Sequence, residues 1–101
     1  MKIKSEIRGS ILAIYLTGEL GHHEAIEAIS QIKDELSDGK YLQAVLDLTG
    51  LSFMDSSGIA VVMKAYKTAQ NADIKLAVKV ENGHKKRILL AAGLNKIIDF
   101  I

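Results

Sequence analysis

A chain of 101 residues with thirteen Lys and Arg against twelve Asp and Glu has a formal charge of +1, which excludes the concentrated basic field that drives nucleic-acid binding. Its 49% hydrophobic and 25% charged content is that of a folded domain with one modest core, too small to share its interior with a large catalytic cavity. The absence of cysteine excludes disulfides, thiolate metal sites and cysteine nucleophiles, and no apolar run approaches the roughly 18–20 residues of a membrane helix. A cytoplasmic protein with neither membrane nor nucleic acid as partner is expected.

Residues 2–7 alternate polar and apolar, and after Arg8-Gly9-Ser10 residues 11–16 are nearly all apolar. This predicts a hairpin whose first strand is a half-exposed sheet edge and whose second is covered on both faces. Over residues 24–36, Ile26, Ile29, Ile32 and Leu36 recur at three- and four-residue steps, predicting an amphipathic helix with Asp34 and Glu35 outward and a stop at Ser37-Asp38-Gly39. Residues 42–48 read as a mostly buried strand, so strand, helix and strand imply a right-handed parallel crossover.

A loop is predicted over residues 49–55. Ile59, Val62, Met63, Tyr66 and Ala69 then trace a second helical stripe closed at Asn71, with a strand at 74–78 completing another crossover. Residues 85–92 predict a third helix stopped at Gly93. The apolar tail 97–101 has no polar segment to shield it, so it packs back on the sheet, is covered by a further helix, or is covered by a partner. The expected fold class is α/β: a mixed, mostly parallel four- to five-stranded sheet with an antiparallel N-terminal edge hairpin and flanking helices, in a single domain spanning residues 1–101.

The most informative stretch is VLDLTGLSFMDSSGIAVV, residues 45–62, where a buried strand leads into a helix start. Open α/β sheets place sites at the carboxyl ends of their strands. Asp55, Ser56 and Ser57 can each accept from the free N–H groups of the helix, which makes a plain cap the simplest reading. Two adjacent hydroxyls where one cap suffices, the small Gly58 and the preceding Phe53-Met54 pair point instead to an exposed docking spot. A phosphoryl group on Ser57 would add roughly −1.5 to −2 charges, attracted by the helix start and repelled by Asp55, so its effect would fall on whatever binds there.

Other signals are weaker. His22 and His23 are adjacent, about 100° apart on a helix, and cannot hold one metal ion together; no metal site is expected. His84 reads as a solvated loop residue. Lys85-Lys86-Arg87 sits at a helix start, the unfavourable end for cations, and reads as a solvated face, with an acidic-partner or phosphate contact as the alternative. P-loop, dinucleotide-turn, HExxH and G-x-S-x-G patterns are absent, and Ser57 has no base at a recognisable spacing, so neither enzyme activity nor a cofactor is expected.

LSFMDSSG at residues 51–58, GEL-x-HH from Gly18-Glu19-Leu20 through Gly21 to His22-His23, and KR-x-L-x(3)-GL from Lys86-Arg87 to Gly93-Leu94 together resemble the bacterial anti-sigma factor antagonists of the STAS family. The resemblance implies a partner switch regulating sigma-factor-dependent transcription, in sporulation or stress response. An anti-sigma factor with serine-kinase activity phosphorylates the second serine of DSSG, here Ser57; the unphosphorylated form binds that factor, the phosphorylated form lets go, and a serine phosphatase resets it. The implied docking face comprises an 18–23 loop with Glu19, Gly21, His22 and His23, a 53–58 loop with Phe53, Met54, Asp55, Ser56 and Gly58, and the following helix from Ile59.

Two departures stand out. Antagonists carry an aspartate after GEL where this chain has Gly21, which removes a polar contact and is expected to loosen the first helix start. The C-terminal helix usual in the family is expected to be lacking. A constitutive STAS interaction or scaffold module, its serines merely capping a helix, is the alternative. The expected state is a monomer or a weak homodimer through the Phe100-Ile101 end.

Overall fold

The computed structural model describes residues 1–38 and 40–101. Gly9, at φ +59°, turns strand β1 (Lys2–Arg8) back into β2 (Ile11–Leu20), and the two pair antiparallel from Lys2↔Thr17 to Arg8↔Ile11. Helix α1 (His22–Ser37) returns the chain to β3 (Gln43–Met54), parallel to β2, and α2 (Ser57–Asn71) leads to β4 (Lys75–Lys79), parallel to β3. Asp38 caps the end of α1; Gly39, part of the predicted stop, lies outside the described residues. Helix α3 (His84–Ala91) ends as predicted before Gly93, whose φ of +76° suits glycine. A 3-10 turn at Leu94–Lys96 then feeds β5 (Asp99–Phe100), parallel to β4. The sheet order is β1-β2-β3-β4-β5, the expected mixed sheet with an antiparallel edge hairpin.

Of the three outcomes open for the tail, it packs back on the sheet: Ile98 is buried, and the Ile101 N–H donates to the Val78 carbonyl at 2.8 Å. Among the described residues no helix is long and apolar enough to cross a membrane.

Leu12, Ile14 and Leu16 of β2, Ala44, Leu46 and Leu48 of β3, and Leu76 and Val78 of β4 alternate into one core. The prediction that β2 is covered on both faces is therefore corrected. Ala13 and Tyr15 are only half-buried and Ile11 is exposed, with Ala13, Val45 and Ala77 forming one cross-strand row on the open side. An apolar run can thus mark lateral shielding by neighbouring strands as well as two-sided cover.

Both helical stripes hold in part: Ile32 and Leu36 of α1 and Val62 and Ala69 of α2 are buried as predicted, but each buried face is rotated toward smaller residues. Helix α1 buries Ala25, Ala28, Ile32 and Leu36, and α2 buries Gly58, Val61, Val62, Ala65 and Ala69. Ile26 is 71% exposed, while Ile59, Met63 and Tyr66 are half-buried at the margins. The two helices pack side by side, and small residues let their backbones approach while bulkier ones move to the flanks.

The largest correction concerns the strand ends. The predicted 49–55 loop is mostly strand: β2 and β3 continue together through Thr17↔Gly50, Gly18↔Leu51, Glu19↔Phe53 and Leu20↔Met54, across two register shifts. Gly50 marks a close approach rather than a turn, because a Cβ there would stand 2.7 Å from Thr17 Cγ2 and 2.9 Å from the Leu16 carbonyl oxygen. The 18–23 loop disappears in the same way, leaving Gly21 alone between β2 and α1 and Asp55-Ser56 between β3 and α2.

Candidate functional site

Because β2 and β3 end in register at Leu20↔Met54, helices α1 and α2 start side by side at one end of the sheet. The Asp55 N–H donates to the Leu20 carbonyl at 3.3 Å and ties the two connections together. The Ser57 N–H donates to Asp55 Oδ1 at 2.8 Å, and the Gly58 N–H donates to the Asp55 carbonyl at 3.0 Å. Of the three possible caps, Asp55 is the one in use. Among the described residues neither serine hydroxyl has a hydrogen-bond partner, with Ser56 exposed and Ser57 half-buried.

Phe53 and Met54 point to opposite sides of the strand, as a period of two requires. Phe53 is 47% exposed beside Glu19, its exposed partner on β2, whereas Met54 is fully buried. A Cβ on the buried Gly58 would lie 2.4 Å from Met54 Sδ, so Met54 fills the space beneath the first turn of α2. Met54 and Gly58, expected on the docking surface, support it from below in this conformation. Ile59 remains half-buried at its margin.

The start of α1 is closed despite its glycine. Gly21, at φ −113° and ψ −168°, donates its N–H to Glu24 Oε1 at 2.9 Å, and its carbonyl accepts from the Ala25 N–H at 3.0 Å. This is the reach-back half of a capping box, since glycine has no side chain for the other half. The expected loosening is thus countered by Glu24. A Cβ at position 21 would stand 3.1 Å from Glu24 Oε1 and 3.6 Å from Asp55 Oδ2, so two carboxylates converge on this glycine.

A stability difference follows from that convergence. Gly21→Asn is expected to gain a few tenths of a kcal/mol as a better cap. Gly21→Asp should fall short of the Asn variant at pH 7 through repulsion from Glu24 and Asp55, with the gap narrowing at about 1 M salt as the charges are screened. Urea unfolding at low and high salt measures this, and equal Asn and Asp stabilities at low salt would refute the convergence.

His22 and His23 are exposed in the first turn of α1, their rings edge-to-face with centroids 5.9 Å apart. Ile26, four residues beyond His22, shares its side of the helix. Sequence reasoning placed Ile26 in the core; the series Ala25, Ala28, Ile32, Leu36 was the signal that could have moved it to the surface. Beside the site, a groove of about 220 Å³ is lined by Leu51, Phe53, Glu81, His84 and Lys85 among others, below the ~300–1,000 Å³ typical of ligand pockets.

Lys85 does not lie on the solvated face predicted for it. It is buried, and its Nζ donates to the carbonyls of Leu48 at 2.8 Å and Leu51 at 2.6 Å while pairing with Glu81 at 3.2 Å. The Glu81 backbone N–H and then the Lys85 ammonium hold the Glu81 carboxyl below the ordinary carboxylate range. Lys86 donates to Asn82 Oδ1 at 3.2 Å, and Arg87 and His84 are exposed. A cation at the wrong end of a helix was the available sign of a buried partner.

These elements make up a mixed-sheet α/β fold with a surface site where two helices start. The chain belongs to the STAS domain family, whose model matches residues 2–101. It is 33% identical over 98 residues to the anti-sigma F factor antagonist of Paenibacillus polymyxa, spanning 97% of this chain and 84% of that protein. In structure it is similar to an anti-sigma factor antagonist from Mycobacterium paratuberculosis, with a TM-score of 0.87 at 18% identity over 98% of this chain and 83% of that one. The antagonist SpoIIAA matches at 0.74 in both its unphosphorylated form, at 20% identity over 99% of this chain and 87% of that one, and its phosphorylated Bacillus form, at 21% over 99% and 91%. At these identities the structural likeness speaks for the fold.

Proposed function

We propose that this protein is an anti-sigma factor antagonist that binds an anti-sigma factor through the shared start of α1 and α2 and is released when that partner's serine-kinase activity phosphorylates Ser57. The observation that carries this reading is the Asp55 cap: the carboxylate engages the Ser57 N–H, and among the described residues the Ser57 hydroxyl has no hydrogen-bond partner. A constitutive scaffold in which the serines serve as the cap fits this arrangement less well. The anti-sigma F factor antagonist from P. polymyxa supports the choice of partner.

In this reading Glu19, Gly21, His22, His23, Phe53, Ser56 and Ile59, at the strand ends and helix starts, form the docking face with Ser57, and the exposed Ile26 adds an apolar contact. The chain acts as the kinase's substrate rather than as an enzyme, in the cytoplasm and as a single domain, and a serine phosphatase resets it.

Intact-mass and peptide mass spectrometry after incubation with ATP and the histidine-kinase-like anti-sigma factors of the source cell tests this. One phosphoryl group on Ser57 is the expected result. Binding without modification would overturn the switch in favour of a constitutive interaction module.

A further inference from the structure

Strand β3 outruns its neighbour. The β3–β4 ladder ends at Asp47↔Lys79, while β3 continues to Met54 paired only with β2. Carbonyl groups on the abandoned side of that extension need donors if they are to be buried. Leu48 and Leu51 both receive theirs from one ammonium, that of Lys85 on α3, and Glu81 faces the same nitrogen. Three donors thus meet three acceptors.

Lys85 occupies this place at a cost. It is 9% exposed, and it stands in the first turn of a helix, where both desolvation and the helix dipole disfavour a cation. The strand end it holds continues into Met54, against which Gly58 and the first turn of α2 are packed, and then into Asp55, which caps Ser57. We infer that Lys85 is a positioning residue for the Ser57 hydroxyl: its ammonium replaces the missing β4 pairing at Leu48 and Leu51 and so fixes the strand end from which the serine is presented. The role given to the hydroxyl rests on the proposed function, whereas the hold on the strand end does not.

Lys85→Met keeps the stem and removes the ammonium. Amide hydrogen exchange of the full chain is expected to show about tenfold or greater loss of protection over residues 51–57, with the β1–β2 amides before Thr17 changed less than about twofold. Uniform loss across the sheet, or no loss at 51–57, would overturn the inference. Should the variant fail to fold, the unmutated protein decides: Lys85 ammonium protons are expected to exchange with water far more slowly than those of the exposed Lys64 and Lys67, and equal rates overturn the inference.

With the partner kinase, Lys85→Met is expected to lower kcat for Ser57 by about tenfold while KM moves less than about twofold, because the docking residues at the start of α1 stay in place while the reacting hydroxyl shifts. An unchanged kcat overturns the positioning role. A wild-type chain that no kinase modifies would defeat the proposed function instead, and the amide pattern would still decide whether Lys85 holds the strand.

Discussion

Ser57→Asp is expected to weaken the complex with the cognate anti-sigma factor at least about 100-fold, equivalent to ~2.7 kcal/mol, because it puts a fixed negative charge at the centre of the proposed docking face. The fold should barely respond. Among the described residues the native hydroxyl makes no hydrogen bond that the substitution could break, and a carboxylate in the first turn of α2 is favoured by the helix dipole while Asp55 opposes it, leaving a net change of about 0.5 kcal/mol or less. Ser57→Ala is the companion variant: it should bind as the wild type does and accept no phosphoryl group. Titration calorimetry with thermal unfolding on the same samples separates loss of binding from loss of structure. Equal affinity of the Asp variant and the wild type would place the switch somewhere other than this serine.

The second large effect concerns Gly50. Replacing glycine by alanine inside a strand ordinarily contributes about 0.5–1 kcal/mol through the backbone entropy of the unfolded chain. Here the sign should reverse, with Gly50→Ala destabilising by about 1–3 kcal/mol, because the added methyl runs into the Leu16 carbonyl oxygen and the Thr17 side chain. Thr17 is exposed and can change rotamer, but the carbonyl belongs to the β2 backbone and can yield only if the strand pair separates. Urea unfolding measures the outcome, and a neutral or stabilising substitution would show that the strands do not approach so closely. A loop reading of residues 49–55 predicts almost no effect, so this variant also decides between the two descriptions of the segment.

Hairpin, crossovers, helix order and the stop at Gly93 were readable because each is encoded locally, in hydrophobic period or in residues suited to turns. Strand extension past Leu16 and Leu48 was not, since Thr49-Gly50 has the composition of a turn and becomes strand only because β2 extends beside it. Helix faces are legible only in part from large apolar residues, because alanines do much of the close packing. At the site, spacing offered Asp55, Ser56 and Ser57 as equal caps, and the geometry of one backbone bond distinguishes them. Lys85 was hidden for a related reason: a charge run carries no sign of which member turns inward.

Gly21 between β2 and α1, and Asp55-Ser56 between β3 and α2, are very short connections between elements anchored in the same core. A surface hung on so little chain has almost no conformational entropy left to surrender on association, so contacts made by a partner are hardly diminished by ordering. The same stiffness denies the protein a hinge at this end. A phosphoryl group placed on Ser57 is therefore expected to act in electrostatic form, on whatever binds this end rather than within the domain itself.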